Sequence, residues 1–309
     1  MWFIFALGCM LAWGCADLFY KKGNDAGEKS THLRTVITVG IAMGIYASVL
    51  LFVQKVDFDP INFLIYLPVS LCYIVSMAVG YFGLRYLALS ISSPVQNSSG
   101  VVAAIFCVIF LKQYPDFLSV IGIICVFIGM LFLGIIERKQ ELKQELHHDK
   151  KYISSFKALL FPLGYCVIDS LGTFLDAFYL DDVATTPLRN VTADNIEDVA
   201  NIAYLYTFFA VAVVCLVVLL LRRERLVLPN TKNRAIAACF ETAGQAVYVY
   251  AMSGNGVVAA PLIGSYCVVS LLLSRLFLKE KLTLKQYLAI SAVILGIVLM
   301  GVAEGLSEA

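Results

Sequence analysis

Apolar residues run in blocks of about 20 along almost the whole chain, the length an α-helix needs to cross the hydrocarbon core of a bilayer. Such blocks occupy 1–20, 35–54, 62–84, 93–111 and 117–137, then 156–179, 200–221, 235–252, 257–278 and 285–303. Polar stretches at 21–34, 137–151, 181–201 and 222–234 separate some of them; the tighter joints are 54–60, 111–116, 253–256 and 279–284. The pattern predicts an all-α integral membrane protein of ten spans, five on each side of a charged linker at 138–155. The opening MWFIFALGCM carries no basic region ahead of its apolar run, so it reads as the first span rather than a cleaved leader.

Composition closes off the soluble alternatives. Of 309 residues, 60% are hydrophobic and only 15% charged, against roughly 25% charged in an ordinary soluble domain. A net charge of +1 offers no basic patch for nucleic acid. The nine cysteines (Cys9, Cys15, Cys72, Cys107, Cys125, Cys166, Cys215, Cys239, Cys267) all fall in apolar runs, without a CxxC or Cys/His grouping. They read as small apolar filler between helices, not as a disulfide framework or metal site.

Lysine and arginine are strongly biased between the two sets of connections. Those after spans 1, 3, 5, 7 and 9 hold 19 of the 23, counting residues at the very starts of the following spans. Those after spans 2, 4, 6 and 8 hold three: Lys55, Lys112 and Arg189. By the positive-inside rule the odd connections are cytoplasmic and both termini lie outside.

The second half repeats the first. Asp17-Leu18-Phe19-Tyr20 matches Asp176-Ala177-Phe178-Tyr179 at an offset of 159. At an offset of 167, Tyr81, Pro94, Ser98, Leu111-Lys112, Gly129 and Gly134 match Tyr248, Pro261, Ser265, Leu278-Lys279, Gly296 and Gly301. The longer connection between spans 6 and 7 absorbs the change. Five spans is an odd number, so the second copy enters the membrane from the opposite side. Inverted repeats of this kind place a site near the bilayer midplane and permit alternating access.

The segments 93–135 and 260–302 each join a Pro-bearing helix, a short charged joint and a Gly-bearing helix. They resemble the closing helix pair of an EamA-type repeat. The whole chain is similar to the ten-helix drug/metabolite transporter superfamily, with repeats at 1–137 and 156–303. That resemblance implies a transporter whose last helix in each repeat lies where halves or protomers meet, as a monomer or homodimer. It also implies cytoplasmic termini, the reverse of the Lys/Arg count.

Candidate chemistry sits where charge is expensive. An ionised group at the bilayer centre costs roughly 2.5–3.5 kcal/mol on insertion scales and is usually functional. Asp169 and Glu241 fall near the middles of spans 6 and 8; Asp17 and Asp176 fall about a turn from span ends. Helical spacing groups Trp13, Asp17 and Tyr20 on one face, Glu241, Gln245 and Tyr248 on another, and Asp169, Thr173 and Asp176 on a third. Tyr81, Asn97, Ser98, Ser265 and Tyr266 add polar positions on spans 3, 4 and 9. An acid beside Trp and Tyr can cage an amine through charge and cation–π contact, whereas Trp2 and Tyr20 read as interfacial anchors.

The expectation is a secondary transporter of the plasma membrane. It moves a small polar solute through a cavity lined by spans 1, 3, 4, 6, 8 and 9. Asp169 or Glu241 would titrate if transport is coupled to protons or Na⁺. A choline or quaternary-amine importer with an aromatic cage is the second reading, and a non-transporting sensor or scaffold the third. No Gly-rich phosphate loop, HExxH or nucleophile–base pair speaks for an enzyme, and no cofactor is implied. His32, His147 and His148 all lie in polar connections.

Overall fold

The computed structural model describes residues 1–23, 30–83, 98–145, 160–226, 230–279 and 282–307. Among these there is no strand. The helices are α1 (Trp2–Gly23), α2 (Thr31–Ser48), α3 (Asn62–Ile65), α4 (Leu67–Gly83), α5 (Ser99–Phe106), α6 (Phe117–Glu145), α7 (Leu160–Leu180), α8 (Ile196–Leu221), α9 (Thr231–Gly264), α10 (Tyr266–Leu278) and α11 (Leu284–Ser307). Wider π-helical turns extend α2 over Val49–Val53 and α5 over Cys107–Leu111.

Among the described residues seven stretches are long and apolar enough to cross a bilayer, and shorter apolar helices cover Leu67–Ser76 and Ser99–Leu111. One of the seven, Thr231–Phe277, is 47 residues long. At about 1.5 Å per residue it reaches roughly 70 Å, more than twice the hydrocarbon thickness. It is not one span. Asn255 leaves the helical conformation (φ −164°, ψ 73°) inside the Ser253–Gly256 joint, and the chain turns again at Ser265 between α9 and α10.

Pro261 sits inside α9, several residues beyond the Asn255 break. Gly100 explains the local geometry: a Cβ there would lie 2.6 Å from the Ala260 carbonyl oxygen and 3.3 Å from Pro261 Cα. α5 therefore packs backbone-to-backbone on this stretch.

Two compact units form, each drawing on both halves of the chain. The first comprises Met1–Ser70, Tyr179–Gly254 and Val269–Leu278; the second comprises Leu71–Phe178, Asn255–Val268 and Lys279–Ala309.

In the first unit α2 packs on α8. A Cβ on Gly40 would collide with Ala212, and one on Gly44 would lie 2.7 Å from the Phe209 ring. The same unit gathers its connections at opposite ends of these helices. At one end Arg34 bridges Glu224 (3.0 Å) and donates through Nε to the Arg225 carbonyl, while Ser30 also donates to Glu224. At the other end Asn62 and Arg189 exchange two hydrogen bonds of 2.9 Å, and Asn190 donates to Asp59. Ser30 and Arg34, at the start of α2, thus meet Glu224 and Arg225, just past α8, at one end, and Asp59 and Asn62 meet Arg189 and Asn190 at the other.

In the second unit α6 packs on α11 through glycines. A Cβ on Gly122 would lie 2.8 Å from the Gly296 carbonyl oxygen, and one on Gly129 would lie 2.9 Å from that of Ala289. Without side chains at these positions the backbones can approach closely enough for tight van der Waals contact, the main source of helix association in lipid.

Among the described residues the left-handed ones come in matched pairs. Ser30, Lys55, Lys112, Asn190, Arg223 and Lys279 have φ between 54° and 57°, and none is glycine. They pair across the two halves as Ser30 with Asn190, Lys55 with Arg223, and Lys112 with Lys279, at separations of 160, 168 and 167 residues.

Candidate functional site

The polar residues singled out above divide between the two units. Trp13, Asp17, Glu241, Gln245 and Tyr248 belong to the first; Ser98, Asp169, Thr173, Ser265 and Tyr266 belong to the second. Asn97 and the side chain of Tyr81 lie outside the described residues.

In the first unit α1 meets α9 at Gly244. A Cβ there would run into the Cδ1–Nε1 edge of the Trp13 indole, so its absence lets that edge approach the helix. Trp13 then stacks on Tyr248, with centroids 5.4 Å apart and planes at 25°, and its indole N–H donates to the Glu241 backbone carbonyl (3.3 Å). Tyr248 and Gln245 are buried. Glu241 and Asp17 are partly buried and close enough to interact electrostatically. One face of each aromatic ring is thus spent on the other, and the indole donor on backbone.

In the second unit the corresponding role falls to Gly172. A Cβ there would touch Cys72 (3.1 Å) and the Tyr73 ring (3.3 Å), so α4 and α7 lie close. That approach lets two residues of α4 reach two acids of α7. The Tyr73 hydroxyl donates to Asp176 (2.8 Å) and to Thr173 (3.3 Å), and the Ser76 hydroxyl donates to Asp169 (3.0 Å). The Ser99 and Tyr165 hydroxyls hydrogen-bond the Asp169 carboxylate as well. Asp169, midway along α7, is therefore held by three hydroxyls, and among the described residues no basic side chain bridges it. Asp176 is buried at 2% exposure.

The paired serines have structural work. Ser98 and Ser265 immediately precede α5 and α10 with nearly equal backbone angles (φ −78°, ψ −9° and φ −79°, ψ 6°). Each accepts a bond from the N–H three residues on, at Val101 and Val268. The buried Ser265 hydroxyl also donates to the Leu262 carbonyl (2.6 Å). Tyr266 opens α10 partly buried.

Ser76, Ser99, Tyr73 and Tyr165 are not in the set the sequence singled out. Tyr165 stands one turn before Asp169, a spacing visible in the sequence; the other three are brought in by tertiary packing. Among the described residues no three His, Cys, Asp or Glu side chains gather as a metal site.

These features define a multi-pass helical membrane protein with carboxylates held inside its spans. The chain belongs to the EamA-like transporter family, whose model matches residues 1–135 and 194–302. A solved crystal structure similar over 99% of this chain and 98% of its own has a TM-score of 0.68 at 14% identity, a likeness of fold alone. No curated protein matches the sequence.

Proposed function

We propose that this protein is a secondary active transporter, moving a small polar metabolite such as an amino acid or amine across the plasma membrane by alternating access. The observation that carries this reading is Asp169. A carboxylate midway along an apolar helix, held by three hydroxyls and, among the described residues, by no basic side chain, is suited to exchange a proton or a cation during a cycle. Either Asp169 or Glu241 is the coupling group, for protons or Na⁺.

The architecture of this reading is ten spans in two inverted repeats, 1–137 and 156–303, joined by 138–155. The matched left-handed residues support it. So does the α6–α11 contact: exchanging residues 167 apart converts the approach of Gly122 to Gly296 into that of Ala289 to Gly129. A second reading, an importer of choline or a related quaternary amine, draws on Trp13 and Tyr248. Their stacking leaves only part of such a cage. A sensor or scaffold without transport is the reading of another class.

The test begins with a thermal-shift screen of the purified protein against amino acids, amines, sugars and nucleosides, since a ligand raises stability by mass action. The stabilising solute is then followed into proteoliposomes under imposed proton and Na⁺ gradients. Flux above protein-free liposomes is expected, with Asp169→Asn or Glu241→Gln abolishing the gradient dependence. Absence of flux discards transport. Unaltered flux and gradient response in both variants discards the coupling role.

A further inference from the structure

Polar contacts descend the contact between α8 and the 231–254 part of α9, in steps of about a turn along α9. Glu197 accepts from the Ser253 hydroxyl (2.8 Å), Asp198 from the Tyr250 hydroxyl (2.7 Å), and the Asn201 amide donates to the Ala246 carbonyl (3.2 Å). The next residue of that stripe on α9 is Thr242, one turn beyond Ala246.

Here the partners run out. Asn201 is fully buried and Thr242 is 8% exposed, yet among the described residues Asn201 Oδ1 and Thr242 Oγ1 find no hydrogen-bond partner. Thr242 is unlike its counterparts. The hydroxyls of Thr35, Thr38, Ser48 and Thr207 each donate to the carbonyl four residues back, the usual resource of a hydroxyl inside a helix. Thr242 makes no such bond to Ala238.

We infer that this seam binds water, one or two molecules held between Asn201 Oδ1 and Thr242 Oγ1. The carbonyl lacks a donor and the hydroxyl lacks an acceptor; water supplies both. Four residues of helix separate Ala246 from Thr242, about 6 Å along the axis, which one or two waters span. Two orphaned buried polar atoms cost more than immobilising such a water. A bare cation fits worse, because two neutral oxygens replace little of its hydration shell. Exposed Asp181, Asp182 and Asp194 lie on the connection leading into α8, where solvent meets the top of the seam.

The inference is independent of which solute the protein carries. Its test is an experimental density map of the full-length protein, with the thermal stability of Thr242→Val alongside. Density within hydrogen-bonding distance of both atoms is expected. A map without it, with the Thr242 hydroxyl turned onto the Ala238 carbonyl, overturns the inference. In a hydrated seam Thr242→Val strips the water of a partner and lowers Tm by a few degrees. In a dry seam the same change removes an orphaned hydroxyl, and an unchanged or raised Tm counts against bound water.

Discussion

Lys112 and Lys279, 167 residues apart, hold the same left-handed backbone conformation, φ 57°, ψ 27° and φ 56°, ψ 29°. Each ends its helix with a residue whose Cβ crowds the following carbonyl oxygen, a strain of roughly 1–2 kcal/mol that glycine escapes. Lys112→Gly and Lys279→Gly are each expected to raise stability by about 0.5–1 kcal/mol, part of the relief being lost to the freer unfolded chain. Lys112→Val is expected to lower it. Thermal unfolding of the three variants in detergent checks the sign of each.

The α6–α11 contact makes a sharper demand. A Cβ on Gly296 would lie 2.5 Å from the Gly122 carbonyl oxygen and 3.0 Å from the Val126 nitrogen, both backbone atoms with little freedom to yield. Gly296→Ala should therefore cost about 1–3 kcal/mol, as overpacking generally does. Gly305, on the same helix, has nothing within 4 Å. Gly305→Ala is the control, expected to be neutral or mildly stabilising. Equal Tm values for both would contradict the close approach.

Tyr73 is the next lever. Its hydroxyl donates to the buried Asp176 carboxyl, and losing a partner of a buried polar group leaves that group unsatisfied. Tyr73→Phe should destabilise by about 1–3 kcal/mol. Combining it with Asp176→Asn should cost less than the sum of the single losses, because the two groups are in contact. A double-mutant cycle on Tm reads this directly.

At the start of α6, Asp116 accepts from the Leu118 and Ser119 N–H groups and from the Ser119 hydroxyl. Slight burial pulls its pKa up, but these hydrogen bonds outweigh it and hold the carboxyl below its ordinary value. A group whose folded pKa is depressed contributes stability above its unfolded pKa and loses it as pH falls through the folded one. That window opens near pH 4, the ordinary aspartate value, and extends below. Asp116→Ala should remove about 1 kcal/mol at neutral pH, as loss of an N-cap does. Its Tm should also fall less steeply than wild type between about pH 4 and pH 2.

Much of the helical layout was readable because period and length are local properties. The apolar blocks at 1–20, 35–54, 117–137, 156–179, 200–221 and 285–303 each coincide with a membrane-length helix among the described residues, and the glycine-bearing joint at 253–256 marked where α9 breaks. Gly129 and Gly296 stood out as a matched pair of the repeat, but their place in the α6–α11 contact comes from packing. The candidate site was less legible. Asp169, Thr173 and Asp176 announced a shared face of α7, but their partners Ser76 and Tyr73 arrive through packing around Gly172, and Ser99 from α5, none in sequence register with α7. The same holds for Trp13, whose berth depends on the missing side chain of Gly244. A left-handed lysine carries no distinctive signal either; only the match of Leu111-Lys112 with Leu278-Lys279 hinted that these positions were special.

Because each compact unit draws on distant stretches of chain, biosynthesis faces a delay. Gly40 emerges from the ribosome 172 residues before Ala212, the residue it packs against. At 5–20 residues per second that interval is on the order of 10–30 s. Throughout it, the groove side of α2 has only lipid or the insertion machinery for company. A nascent protein truncated anywhere before α8 therefore holds an unmatched small-residue face, which should make it a substrate for membrane quality control.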